Sequence, residues 1–252
     1  MKLVWTYDDR MNKGDKTSTN RIILINYYIH SIEAAKKLGY YTIMYCDKSS
    51  YERFNRLVDE IHIVDSYEDT IVWDYLKVKV LEDRDDDFYL IDGDVILHNK
   101  IPKFNSDIIF DTYETANWKD EYYTTIHQLN DLDIKNVIPY WTINRLPIIS
   151  TGILFLQKEF RKKYVEEFKK CNTFINQYKF IENFHKDYIS LVGGQYLLTI
   201  FTHQYNLTKF NINNSMGDDG EYYKHHFGKT KFQNPIVPTD YFLDTAIIKK
   251  II

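Results

Sequence analysis

The sequence predicts an α/β protein with a mostly parallel central sheet flanked by helices, and three observations carry that prediction. Strand-like and helix-like hydrophobic periods alternate through the first half, the pattern of βαβ units. A chain of 252 residues can bury one substantial core without a disulfide or metal staple. Hydrophobic residues at 44% and charged residues at 27% are the proportions of an ordinary globular domain, which excludes collagen, disulfide scaffolds and disorder.

The elements follow in order. Leu3 to Thr6 is a short apolar run with the look of a buried first strand, and polar residues from Asp8 to Asn20 read as a loop. Apolar residues recur at helical spacing from Arg21 to Leu38, and Gly39 is the stop signal. Tyr41 to Cys46 is β-branched and aromatic, a second strand. Tyr51 to Val58 reads as a short helix, Ile61 to Val64 as a third strand and Tyr75 to Glu82 as a helix. Phe88 to Ile91 is a strand running into Asp92-Gly93-Asp94. In the second half, Asp107 to Phe110 and Ile148 to Leu156 read as strands, the latter running through Gly152. Lys158 to Lys170 is an amphipathic helix whose Arg161-Lys162-Lys163 and Lys169-Lys170 mark a solvated face. Gln195 to His203 lies on another helix, Asn211 to Gly220 reads as loop, and the stretch near 112–147 reads as a variable region.

Composition narrows the function. With 32 basic against 36 acidic residues the formal charge is −4, so no general nucleic-acid affinity is expected. No run approaches the roughly 18 apolar residues of a membrane span, and the first residues lack a secretory pattern. The terminal Ile247 to Ile252 is too short to anchor. Two cysteines without metal-ligand spacing, Cys46 and Cys171, point to a reducing compartment, the cytoplasm, or the host cytoplasm for a viral chain. The 22 Tyr and 15 Phe against 9 Gly and 5 Pro match AT-rich codons and speak of the genome more than of mechanism.

Asp92-Gly93-Asp94 is the strongest local signal. Two carboxylates two residues apart, just past an apolar strand, can both reach one hard divalent cation at a sheet's carboxyl edge. The bland alternative is that acidic residues often finish strands, and Glu82 to Asp87 reads as a solvated turn. His225-x-x-Gly228-x-x-Lys231 offers what the aspartates lack: an imidazole as third metal ligand, a glycine for close phosphate approach and a lysine to neutralise charge. His98, His127, His185 and His203 have no partners at ligand spacing and read as structural or surface histidines. Trp5, Trp73, Trp118 and Trp141 read as packing residues, with Trp118 and Trp141 kept as candidates for stacking on an acceptor.

Taken together, these residues resemble the glycogenin-like retaining glycosyltransferases, family 8 of the sugar-transferase classification. Phe88 to Leu97 followed by Ile101-Pro102 looks like that family's strand and DxD segment, and the His225 to Lys231 motif matches its closing HxxGxxK. Lys77, fifteen residues before Asp92, stands where the family has a donor-contacting lysine. Ser150-Thr151-Gly152-Ile153 resembles its Asn-x-Gly strand, Gly194-Gln195 its Asp-Gln pair, and Thr6-Tyr7-Asp8, loosely, the strand end that holds the nucleotide base. Ser150 replaces the usual Asn and Gly194 the usual Asp.

The resemblance implies a single GT-A-like domain over residues 1–252, with a nucleotide-binding half over about 1–110 and an acceptor-side half over about 111–252. It implies a metal-dependent transferase using a nucleoside-diphosphate sugar, UDP-based, and an unidentified glycan, protein or other hydroxyl acceptor, with retention of configuration. Asp92, Asp94 and His225 would hold Mn²⁺ or Mg²⁺. Gln195 and Lys231 would act at the reacting centre, and Thr6, Tyr7, Asp8, Lys77, Asp92, Gly93, Ser150, Gly152, Gly228 and Lys231 would bind nucleotide or substrate. Two alternatives stay open. A sugar nucleotidyltransferase also joins carboxylates and metal to an α/β sheet, although its early Gly-rich phosphate loop is missing. A degenerate, non-catalytic domain is compatible with Gly194. The patterns GxxxxGK[ST] and GxGxxG are absent, which disfavours kinases and dehydrogenases.

Overall fold

A computed structural model of the protein describes residues 1–9, 18–64, 74–114, 119–178, 186–213 and 220–226. Strand β1 (Lys2–Tyr7) leads through α1 (Ser18–Lys37) to β2 (Tyr41–Cys46), and α2 (Tyr51–Phe54) leads to β3 (Glu60–Ile63). Helix α3 (Tyr75–Asp83) precedes β4 (Phe88–Ile91), and β5 (Val95–Leu97) follows. The order continues with β6 (Ile108–Phe110), β7 (Tyr113–Glu114), α4 (Lys119–Asp131), β8 (Ile148–Ile149) and β9 (Ile153–Leu156). Helices α5 (Lys158–Gln177), α6 (Lys186–Leu191) and α7 (Leu197–Gln204) come next, then β10 (Lys209–Asn211) and β11 (Tyr223–His225).

Seven strands form the main sheet in the order β10-β6-β9-β4-β1-β2-β3. It is mostly parallel, as expected; β9 runs antiparallel to β6. The chain divides into two compact units, one of Met1–Val64, Ile91–Pro102 and Gly217–Ile252, the other of Asp65–Leu90 and Lys103–Met216.

In the first unit β1, β2 and β3 are parallel neighbours, with Lys2 opposite Tyr41 and Ile43 opposite Glu60. Leu3, Val4 and Trp5 are wholly buried, which is why β1 reads as an unbroken apolar run rather than an alternation. Helix α1 is fixed through Ser31, whose hydroxyl accepts from Trp5 Nε1 at 2.9 Å and donates to the Val95 carbonyl. Gly39 ends α1 at φ 75°, with its own N–H donating to Lys36 O and that of Tyr40 to Ala35 O, a closure that favours glycine.

In the second unit β6 lies between β9 and β10, with Ile108 opposite Leu156 and Lys209. Helix α5 buries Tyr164, Val165, Phe168, Cys171, Phe174 and Ile175 on one stripe, the three-four spacing of an amphipathic helix.

Several expectations are corrected. Ile148 to Leu156 is not one strand: β8 pairs with β7 and β9 with β6, and the buried Ser150, Thr151 and Gly152 lie between them. The residues before α7 form a π-helical turn, Val192–Tyr196. Helix α4 lies in the stretch read as variable, where no element is assigned, and the short β10 and β11 lie where no strand is expected. Arg161 is 2% exposed and sits on the buried stripe of α5, not on its wet face. Trp141 is 2% exposed and so offers no stacking platform, whereas Trp73, Trp118 and the terminal isoleucines lie outside the described residues. No helix among the described residues is long and apolar enough to cross a membrane.

Candidate metal centre and sugar-binding residues

Asp92, Asp94 and His225 lie together in the first unit, each offering a ligand atom within 4.8 Å of the others. The convergence follows from strand pairing. The acidic pair closes the turn after β4, where Val95 N–H donates to Asp92 O at 3.1 Å. Antiparallel pairing of β11 with β5 then sets His225 opposite Val95. His226 N–H donates to Asp94 O at 2.9 Å, and His225 Nε2 stands 3.3 Å from Asp94 Oδ1. A histidine 131 positions after Asp94 thereby becomes its neighbour. Asp94 is 9% and His225 6% exposed, and Asp92 is half-buried. Two carboxylates with one imidazole form a donor set of hard oxygens and a borderline nitrogen, which fits Mn²⁺ or Mg²⁺.

Gly93 is required by packing. A Cβ there would lie 2.2–2.4 Å from three ring carbons of Tyr28 on α1, while the Tyr28 hydroxyl donates to Thr6 O at 2.8 Å. One aromatic side chain therefore joins the acidic turn to the end of β1. Burial, then the charges of Asp92 and Asp94, push the Tyr28 phenol well above its ordinary range. Tyr7 packs edge-on against Tyr28, with ring centroids 5.1 Å apart, and its hydroxyl donates to Asp9 Oδ1 at 2.8 Å. Asp9 is further held by Arg21 and, at 2.6 Å, by Arg53. Asp8 is buried beside them.

The remaining candidates with described positions belong to the second unit. Lys77 on α3 donates to Thr151 O at 3.2 Å and Thr151 Oγ1 at 2.9 Å, and lies 3.5 Å from Asp74 Oδ1. Ser150 is buried and donates to Asp111 Oδ2 at 3.3 Å, and Gly152 is buried beside Thr151. Gln195 lies on the π-helical turn at 8% exposure, and its Oε1 has no hydrogen-bond partner among the described residues. Gly228 and Lys231 lie outside the described residues.

Sequence reasoning missed Asp74, Asp111 and Tyr28. Asp111 had a signal: it ends an apolar strand, as Asp92 does. Asp74 had a weaker one, its three-residue spacing from Lys77. His98, His127 and His203 are exposed as expected, and His185 lies outside the described residues.

No family model matches the sequence, and no curated protein matches it. Similar solved structures exist. One is the galactosyltransferase LgtC in complex with donor and acceptor sugar analogs, at 14% identity and TM-score 0.48 over 77% of this chain and 70% of that one. Another is mouse xyloside xylosyltransferase 1, at 11% identity and TM-score 0.40 over 76% and 80% of the two chains. A third is the glycosyltransferase GlyE of Streptococcus pneumoniae TIGR4, at 9% identity and TM-score 0.43 over 99% of this chain and 63% of that one.

Proposed function

We propose that the protein is a metal-dependent glycosyltransferase with a single GT-A-like domain. It moves a sugar from a nucleoside-diphosphate donor, UDP-based, to a hydroxyl acceptor with retention of configuration. The observation that carries this reading is the convergence of Asp92, Asp94 and His225 from segments far apart in sequence. A DxD turn alone is common, but one completed by the histidine of an HxxGxxK segment is the pattern of a diphosphate-binding metal site.

In this reading Asp92, Asp94 and His225 hold Mn²⁺ or Mg²⁺, which supplies charge stabilisation to the departing diphosphate. Thr6, Tyr7 and Asp8 bind the nucleoside, and the bare Gly93 lets the acidic turn pack under Tyr28. Lys231 brings an ammonium group to the leaving group, Lys77 contacts the donor, Gly228 admits a phosphate, and Gln195 steadies the sugar. Ser150 and Gly152 border the substrate. Gly194 has no side chain to form a covalent intermediate, and in this reading the acceptor attacks from the leaving-group face. Its oxygen bonds to the anomeric carbon as the bond to diphosphate breaks, and its proton passes to the departing diphosphate oxygen.

Calorimetric titration with UDP and Mn²⁺ tests the core of this reading. Asp92→Asn and Asp94→Asn each remove a hard anionic ligand and should abolish metal-dependent UDP binding, while His225→Ala should weaken it less. Unchanged affinity in both aspartate variants would remove the assignment. Release of UDP from a UDP-sugar separates a transferase from a domain that only binds. Proton NMR of the first product from an α-linked donor tests retention, and a β-linked product would mean inversion.

A further inference from the structure

We propose that Asp74 supplies the carboxylate that Gly194 lacks, and that with Lys77 and Gln195 it forms the hydroxyl-binding group for the transferred sugar. The proposal rests on the glycosyltransferase reading and adds to it a residue that no sequence motif marks.

Four features of the second unit support it. A Cβ built at Gly194 would lie 2.0 Å from Asp74 Oδ2 and 2.8 Å from its carboxyl carbon, too close for both to fit. The space beside the backbone of residue 194 is therefore filled by an acid from 120 positions earlier in the chain. Secondly, Asp74 is the N-cap residue of α3, yet its side chain makes no capping hydrogen bond. An aspartate at this position ordinarily accepts from the first helical N–H groups, and here the carboxylate is turned to the glycine instead. Thirdly, its partner is a cation held in place: Lys77 Nζ is 3.5 Å from Asp74 Oδ1 and is braced by both oxygens of Thr151. Their side chains are only 16% and 13% exposed. Fourthly, the next residue after Gly194 is Gln195, whose buried Oε1 has no hydrogen-bond partner among the described residues.

These groups suit a polyol. A sugar hydroxyl donates one hydrogen bond and accepts others, so a carboxylate and an amide oxygen can accept its proton while an ammonium donates to its oxygen. The π-helical turn, Val192–Tyr196, is what presents Gly194 and Gln195 together. Such turns are rare and frequently lie at functional sites. On this view Gly194 is no sign of a degenerate enzyme. The acid has moved to another element, and the glycine is the gap that admits it.

Calorimetry with Mn²⁺ and either UDP or a UDP-hexose (UDP-glucose and UDP-galactose both tried) separates the sugar contribution from that of the nucleotide. Asp74→Asn keeps the side-chain size and should leave UDP affinity unchanged. It should abolish the extra affinity conferred by the hexose and lower turnover by about a hundredfold, the scale of losing one preorganised polar group. Thermal melts verify that each variant is folded. A swap gives the second arm. Gly194→Asp alone should lose activity because its Cβ collides with Asp74, whereas Asp74→Ala combined with Gly194→Asp should regain about tenfold over Asp74→Ala. If Asp74→Asn weakens UDP and UDP-hexose equally or neither, or if the swap regains nothing, the proposal is overturned and the transferase reading stands. If the unaltered protein binds neither UDP nor UDP-hexose with Mn²⁺, both fall.

Discussion

Arg161 illustrates how far a single residue can depart from its sequence context. Within Arg161-Lys162-Lys163 it looks solvated, yet its guanidinium donates to the carbonyls of Leu156 at 2.6 Å, Asp86 at 2.7 Å and Arg84 at 3.2 Å. It also lies 4.4 Å over the Phe88 ring. The legible signal was its position three and four residues before Tyr164 and Val165, which puts it on the buried stripe; the charge run outweighed that spacing. Arg161→Met should cost about 3–5 kcal/mol in urea denaturation, because buried carbonyls lose their donor. Arg161→Lys should not restore the loss, since a compact ammonium cannot reach three divergent acceptors. A destabilisation below about 1 kcal/mol would place Arg161 among surface charges after all. Gly93 makes the converse point: the motif marks it for the substrate side, and the ring of Tyr28 is what requires it. Gly93→Ala should cost about 1–3 kcal/mol. Adding Tyr28→Ala should give less than the sum of the two losses, because the smaller side chain makes room.

At the scale of elements, the legible parts are those whose stability is local. β2 and α3 emerge close to where their periodicity places them, since Ile43, Met44 and Tyr45 are all buried and Leu76, Val78, Val80 and Leu81 face the interior. The illegible ones are stabilised by partners. β8 has only two residues and exists because β7 pairs with it; β11 exists because β5 does. That second pairing also delivers the histidine to the acidic turn, so its loss should be visible as lost metal affinity. Lys224 lies opposite Ile96 in this ladder, and Lys224→Pro removes a backbone donor and constrains the strand. Mn²⁺ titration should show weakening at least equal to that of His225→Ala, although every ligand residue remains. Wild-type affinity in the proline variant would mean that His225 is held by something other than β11. The aspartates were legible because they adjoin one strong strand, and the histidine because its motif is distinctive. Asp74 was not, because only a fold brings residue 74 to residue 194.

For the whole molecule, the aromatic excess that said little about mechanism has a physical consequence. The chain buries many weak acids. Burial pushes the thiols of Cys46 and Cys171 each up to about 12 from 9.0, and burial, then the hydrogen bond to Glu167, raises Tyr205 to about 12. Burial likewise drives Tyr122 and Tyr164 well above their ordinary value. For every such group the unfolded chain releases its proton first as pH rises, so it binds fewer protons than the folded state. Stability must then fall with pH. The contribution of the thiols is fully present below pH 9 and is lost progressively from there to about pH 12. Each thiol contributes a slope approaching ~1.4 kcal/mol per pH unit in that window, and the tyrosines join above pH 10. Urea denaturation at a series of pH values should therefore show a plateau through neutrality and a steepening decline above pH 9. The variant carrying Cys46→Ala and Cys171→Ala should start lower, from lost packing, and decline less between pH 9 and 10. Iodoacetamide, which attacks the thiolate, should leave both cysteines unmodified in the folded protein at pH 8 and alkylate both in urea, as read by mass spectrometry. Equal slopes in the variant and the parent, or alkylation of the folded chain at pH 8, would mean that the two thiols are not held protonated by burial.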